Sequence, residues 1–450
     1  MQVEELATAV LHYAQRLGAT AGDVLIAIGE SFSIGVRLEE VEKIHSAREK
    51  RMGIRLFVGQ RSAITSTADF TPAALVALVE ETIGLAKTTA ADVFSGLPAA
   101  EELATEIPDL DLADLTTQLS TEDKIALARE AEAAALSFDA RITNSEGAEF
   151  SHHDREILYA NSLGFLGRYR TTSFSLSVVP VAHQNGTMQR DYWYSSHRKF
   201  RNLDPPAEVG RQAAERTIRR LGARRVKTQE APVVFDPETA ASLLRHIAAA
   251  VSGSALYRKT SFLLDQLGKQ IAAPCVSVED DARIPSALGS KPFDGEGLPT
   301  RRTAIIENGH LVNYLLDTYS ARKLGYKSTG NAARSFADVP TAGPTNFFLK
   351  PGTTSPAEII RSVRSGLYVT ELSGFGVNPV TGDYSRGAVG LWIDRGELAY
   401  PVEEITIAGN LLEMLRNIEV IGNDLRLRGS IAAPTLKIGR MTIAGHNQDS

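Results

Sequence analysis

Apolar and polar positions divide the chain into helical and strand-like stretches. Val3–Leu17 is apolar at helical spacing and ends at Gly18, which predicts a first helix. Alternation with period two then predicts strands at Asp23–Gly29, Ser31–Arg37, Val41–Ala47, Gly53–Val58 and Ala63–Ser66. Turns are expected at Gly29-Glu30-Ser31 and across Val58–Ser62. Thr71-Pro72 opens a second helix to about Lys87, because proline fits the first helical turn. Helix, antiparallel meander and helix together predict an α+β layer with helices on one sheet face.

Val93–Leu119 is broken by Gly96-Leu97-Pro98 and Ile107-Pro108-Asp109 and reads as a surface crossing. A helix follows over Thr121–Ser137, with Ser120 or Thr121 as its cap. Strands are expected at Arg141–Ser151, Arg155–Asn161, Phe165–Val181 and Met188–Ser195, with a hairpin turn at Asn185-Gly186. Pro205–Leu221 is helical and ends at Gly222. Ala223–Glu230, carrying Arg224, Arg225 and Lys227, reads as a solvated linker. This places a boundary between an N-terminal α+β domain, residues 1–222, and a strand-rich C-terminal domain, residues 223–450.

The second domain opens on Val233-Val234-Phe235, a short buried strand, and Asp236-Pro237 then starts a helix to about Val251. Leu243, Leu244, Ile247 and Val251 fall on one face of that helix. Beyond it the chain is strand-rich. Gln270–Val278 leads to Arg302–Glu307 and His310–Leu316 across an Asn308-Gly309 turn. Leu367–Leu372, Tyr384–Ile393, Glu397–Pro401, Ile405–Ile407 and Leu436–Ile443 complete the strands. Ser355 and Glu358 form a capping box for a short helix. No βαβ alternation and no repeat of fixed period is visible.

Charge and cysteine content narrow the function classes. The net charge is −6 over 450 residues, with acids and bases mixed and no basic block to bind nucleic acid. The acidic, amphipathic start is unlike a signal peptide, and no apolar run approaches the ~20 residues of a membrane helix. Cys275 is the only cysteine, so no intramolecular disulfide forms, and a cytoplasmic location is expected. Its apolar neighbours predict a buried, unreactive thiol.

Candidate chemistry is sparse. Leu288–Gly297 is rich in glycine and charge, and its Asp294 and Glu296 either address the amides of a substrate or satisfy backbone N–H groups of a turn. On the central helix, His246 could act as a base beside a carboxylate, or serve structure alone. His152-His153-Asp154 is expected to be a polar turn, since adjacent strand side chains point to opposite faces and rarely share one metal. Tyr192, Trp193 and Tyr194 form an aromatic cluster suited to packing or to an interface. Neither a phosphate-loop pattern nor a G-x-S-x-G elbow occurs.

Several segments resemble the TldD/PmbA family of peptidase-like proteins, also described as modulators of DNA gyrase, and its TldE (PmbA) branch in particular. They are FDPETAASLL at Phe235–Leu244, LGSKPFDGEGLPTRR at Leu288–Arg302, LLDTYSARKLGYKSTGNAAR at Leu315–Arg334 and IGNDLRLRG at Ile421–Gly429. Weaker matches lie at VRLEEVEKI and GIRLFVGQR near the N-terminus. The resemblance implies that the metal-bearing TldD branch carries HExxxH on the helix after the Val233–Phe235 strand. Here the matching positions are Arg245, His246 and Ala250. That branch also supplies a cysteine after its version of the GNDL segment, where this chain runs from Ser430 to Ala432-Ala433-Pro434.

The resemblance therefore implies a metal-free subunit, without catalytic residues of its own, that forms a heterodimer with a TldD-like paralogue. Zinc is expected in that partner, and unfolded peptide is the expected substrate. Arg245 either fills the space of the missing metal and holds nearby carboxylates or, with His246, Asp294 and Glu296, contacts the substrate. Two alternatives remain: a self-sufficient homodimeric peptidase with unrecognised ligands, and a peptide-binding or regulatory protein without catalysis.

Overall fold

In the computed structural model, which describes residues 3–445, a seven-stranded antiparallel sheet carries the N-terminal half. Its strands are β1 (Ala21–Arg37), β2 (Glu40–Val58), β3 (Arg61–Thr67), β4 (Ile142–Asn161), β5 (Leu166–Gln184), β6 (Thr187–Arg190) and β7 (Trp193–His197). Their order is β3-β2-β1-β4-β5-β6, and β7 also pairs with β5. The helices α1 (Val3–Arg16), α2 (Pro72–Thr88), α3 (Thr121–Leu136) and α4 (Pro206–Ile218) cover one face. Leu6, Val10, Ile26, Ile54 and Val79 fill the core under α1 and α2. Ile34, Phe150, Phe174, Ala131 and Ala213 fill the core under α3 and α4. The last two helices touch at Gly210, where a Cβ would stand 2.1 Å from the Ala131 carbonyl oxygen.

The strands are longer than the sequence predicts. Gly29-Glu30-Ser31 is no turn: β1 runs through it, paired at Gly29 with Glu49 on one side and Arg155 on the other. A Cβ at Gly29 would lie 2.5 Å from the Asp154 carbonyl oxygen, so this glycine permits close strand approach. The expected break between 47 and 53 is likewise absent, and β2 is continuous. His152-His153-Asp154 lies mid-strand in β4, opposite Phe174, Ser173 and Thr172. His152 stacks on Phe174 with ring centroids 4.4 Å apart, while the His153 side chain projects from the opposite face. Residues 48–51 are exposed on both faces of β2, and His152 is held in its strand by the Phe174 ring. The second sheet face is uncovered by helices, so polar and small residues sit within strands and mimic turn signals. Ser33, Ser151, Ser175 and Ser196 form one row across that face.

The C-terminal half holds two further sheets around one helix. Its strands begin with β8 (Gln229–Phe235), which enters α5 (Pro237–Ala250) directly and is followed by α6 (Gly253–Tyr257). A five-stranded sheet has the order β11-β10-β9-β14-β19 and contains β9 (Val278–Asp281), β10 (Arg302–Glu307), β11 (His310–Leu311), β14 (Phe347–Leu349) and β19 (Ile431–Ala432). Between β11 and β14 come α7 (Thr318–Leu324) and the small pair β12 (Ala332–Ala333) and β13 (Thr341–Ala342). A six-stranded sheet has the order β17-β16-β15-β8-β20-β18. It contains β15 (Ser365–Ser373), β16 (Asp383–Asp394), β17 (Glu397–Asn410), β18 (Ile418–Ile421) and β20 (Leu436–Ala444), with α8 (Pro356–Arg361) before it and α9 (Leu411–Arg416) within it. Leu243, Leu244 and Ile247 of α5 pack with Val233, Phe235 and Phe347 in one core.

Three expectations need correction here. No strand covers Gln270–Ser277; β9 starts at Val278. The expected pieces Glu397–Pro401 and Ile405–Ile407 are one strand that passes Glu404 at φ +54°. Cys275 is exposed, because the chain turns at Pro274-Cys275 and points these two residues outward while Ile271, Ala272, Ala273 and Val276 on either side are buried.

Candidate functional site

The start of α5 is the hinge point of the site. Asp236 caps the helix by accepting from the Thr239 backbone N–H at 2.9 Å, with Pro237 in the first turn. Arg216 of α4 reaches Asp236 and Asp191, each at 3.3 Å, and stacks over the Trp193 ring at 5.1 Å. The N-terminal domain thereby grips the helix from its first turn. One step along, the Tyr194 hydroxyl meets both Glu238 carboxylate oxygens at 3.1 and 3.3 Å. Burial, then the nearby Asp236, push the Glu238 carboxyl above its ordinary range.

A cleft of about 420 Å³ opens between these groups and the segment that leads into β19. Trp193, Tyr194, Glu238, Arg245, Arg426 and Ile431 are among its walls. The segment is pinned by Asp424, which accepts from Thr435 N at 3.0 Å and from Thr435 Oγ1 at 2.7 Å. Arg428 bonds Asp204 at 3.0 Å and lies 4.6 Å from the Trp193 ring. Among the described residues strand β19 pairs only with β14, so its other edge is unpaired beside the cleft.

Arg245 and His246 occupy the middle of α5. Arg245 is exposed, and no carboxylate among the described residues pairs with it. His246 faces a second hollow of about 510 Å³, with Phe262, Phe375 and Leu411 in its walls. Its ring stands edge-on to Tyr384 at 6.2 Å, and Nε2 has no hydrogen-bond partner. Burial, then Arg386 and Arg245, lower its pKa and keep the ring neutral. Among the described residues no carboxylate bonds to it.

Asp294 and Glu296 lie elsewhere, at the junction of the two domains. Asp294 Oδ1 accepts from the backbone N–H groups of Glu296 (2.9 Å) and Leu298 (3.0 Å), and Oδ2 accepts from that of Ala332 (3.0 Å). Glu296 accepts from the Thr318 backbone N–H at 2.9 Å and from Arg55 at 3.4 Å. Both side chains are 1% exposed. Every one of these bonds is internal, as in a structural turn. Sequence reasoning overlooked Glu238, Arg426 and the open β19 edge. Arg426 and Glu238 had a signal, since they stand in the IGNDLRLRG and FDPETAASLL segments; the edge had none outside the fold.

Known proteins share this architecture. Residues 22–86 match domain 1 of the PmbA/TldA metallopeptidases, residues 114–221 match the central domain, and residues 228–445 match the C-terminal domain. The Escherichia coli O157:H7 protein named Metalloprotease PmbA is 40% identical over 423 residues, covering 94% of this chain and 92% of that protein. The chain belongs to the PmbA/TldD family. The Haemophilus influenzae Metalloprotease PmbA homolog is 38% identical, covering 99% of this chain and 97% of its own length. A crystal structure from Bacteroides thetaiotaomicron, named for modulation of DNA gyrase, superposes with a TM-score of 0.92 at 29% identity, over 98% of this chain and 99% of that one. TldE from Thermococcus kodakarensis shares the fold, with a TM-score of 0.89 at 21% identity over 98% of this chain and 100% of its own.

The family name implies a metal, but the residues present do not fit one. Arg245 is a cation, Ala250 has no donor atom, and His246 stands alone. Among the described residues no three His, Cys, Asp or Glu side chains gather as a metal site. No helix among them is long and apolar enough to cross a membrane.

Proposed function

We propose that this chain is the metal-free, TldE-like subunit of a cytoplasmic two-subunit peptidase that degrades or processes unfolded peptides. A TldD-type paralogue would supply zinc and the general base, and this chain would complete the substrate chamber. The carrying observation is α5, which presents Arg245, His246 and Ala250 at the three positions where the metal-bearing branch places its ligands and base. The open edge of β19 supports the substrate half of the reading. A free strand edge bonds any extended backbone, which suits sequence-tolerant binding of unfolded chains. The residues of this chain would bind and orient the peptide and carry no proton in the reaction.

The test measures hydrolysis of an unfolded protein substrate and zinc content on the same samples. The pure chain is expected to be zinc-free and inactive, and a mixture with its TldD-type paralogue to cut only when both are present. Stoichiometric zinc with activity in the pure chain would overturn the proposal.

A further inference from the structure

The cleft beside α5 holds two arginines without an ion-pair partner. Its acids bond neutral groups of their own chain: Asp424 accepts from Thr435, and Glu238 accepts from the Tyr194 hydroxyl. Arg428 is held by Asp204 and Trp193. Arg245 and Arg426, one from each wall, are exposed, and neither forms an ion pair among the described residues. The same cavity is floored by Ile431, Ala432 and Ala433, at the open edge of β19. Two guanidinium groups without an ion-pair partner therefore share one cleft with the terminal strand of the five-stranded sheet.

We infer that this cleft selects acidic unfolded segments. An extended peptide adds to the β19 edge through its backbone, and an Asp or Glu side chain accepts hydrogen bonds from Arg245 and Arg426. Guanidinium groups favour carboxylates over neutral amides because charge-assisted, two-pronged bonds are stronger than neutral ones. A lysine at the same place meets two like charges. The inference rests on the peptide-binding reading above and adds to it a preferred substrate class. It gives Arg245 a ligand from outside the chain.

The experiment is fluorescence polarisation of the full-length chain with three labelled ten-residue unfolded peptides. They differ only at two central positions, which carry Glu, Gln or Lys. An oligothymidine of similar length is the fourth probe. The Glu peptide is expected to bind about tenfold tighter than the Gln peptide, and the Lys peptide more weakly than both. The preference is expected to shrink in high salt, because exposed charges are screened. Arg245→Gln with Arg426→Gln should bring the Glu peptide within about twofold of the Gln peptide. Both side chains are exposed, and the three-peptide comparison needs no variant at all. Equal affinity for Glu and Gln peptides would overturn the inference and leave the peptide-binding reading standing. Failure of every peptide to bind would overturn both. Oligothymidine binding as tightly as the Glu peptide would mark the arginines as a general polyanion surface and overturn the choice of peptide.

Discussion

Arg334 and Asp23 form a buried ion pair across 311 positions of sequence, with side chains 1% and 0% exposed. The same carboxylate receives Arg55 at 2.6 and 2.9 Å and the Tyr159 hydroxyl at 3.3 Å, and Arg55 extends to Glu296 at 3.4 Å. This network ties β1, β2 and β4 of the first sheet to the segments around Glu296 and Arg334 in the second domain.

Removal of one member leaves its partner charged and buried. Arg334→Met is expected to cost about 3–5 kcal/mol, read as a shift in the urea midpoint. Adding Asp23→Leu should restore part of that loss, because the network then holds one cation, Arg55, and one anion, Glu296, in place of an excess of negative charge. A double variant less stable than Arg334→Met would contradict this account.

A second prediction concerns Gly53 in β2. A Cβ there would lie 2.2 Å from the Phe336 carbonyl oxygen and 2.7 Å from its Cα. Those atoms are backbone, so the loop after Arg334 must move to admit a methyl group. Gly53→Ala is expected to cost about 1–3 kcal/mol by overpacking. Its effect should be smaller in an Arg334→Met background, where that loop is no longer anchored. Purely additive losses would show that glycine and ion pair act independently.

Asp294 makes stability depend on pH. Burial, then the neighbouring Glu296, push its carboxyl up from 3.8 to about 6. The folded state thus holds the proton more tightly than the unfolded chain does. The stabilisation is fully present below the unfolded value and is lost as pH rises through the folded one, between 3.8 and about 6. Its size is of order 2–3 kcal/mol. Asp294→Asn cannot titrate, and it turns an amide N–H₂ toward one backbone donor, so it is less stable at every pH. Its deficit against the natural chain should narrow as pH rises from 4 to 6, followed by denaturation at several pH values. A deficit that stays constant would place the titration elsewhere.

What the sequence disclosed followed from how local each cue is. Asn185-Gly186 and Asn308-Gly309 turn with φ of 50° and 79°, and 48° and 84°, because only such residues adopt the left-handed region cheaply. The capping box of Ser355 with Glu358 and the Asp236 cap were likewise readable from neighbours in sequence. The long strands were not, since serines on the sheet face away from the helices, and charged residues in the exposed part of β2, look like turn residues. The parallel pairings of β8 with β15 and of β14 with β19 left no signal, because their partners are more than 80 positions apart. In the cleft, α5 was readable and its Arg245 was found. The opposite wall depends on β19, two residues whose role as an edge exists only in the folded sheet.

Cys275 supplies the last prediction. Its side chain is exposed, with Sγ 3.6 Å from the Ile418 carbonyl oxygen, while partial burial raises its thiol pKa above the ordinary value of 9.0. Exposure and basicity act in opposite directions on reactivity. The thiolate is the reacting form, so modification should be slow at neutral pH and still accelerating at pH 9. Access, however, does not require unfolding. A maleimide reagent is expected to label one thiol per native chain to completion, more slowly than it labels free glutathione, with no change in circular dichroism. Cys275→Ser should change stability by no more than about 0.5 kcal/mol, as for other exposed positions. Labelling that appears only in denaturant would return Cys275 to the core, as its apolar neighbours Ala272, Ala273 and Val276 first suggest.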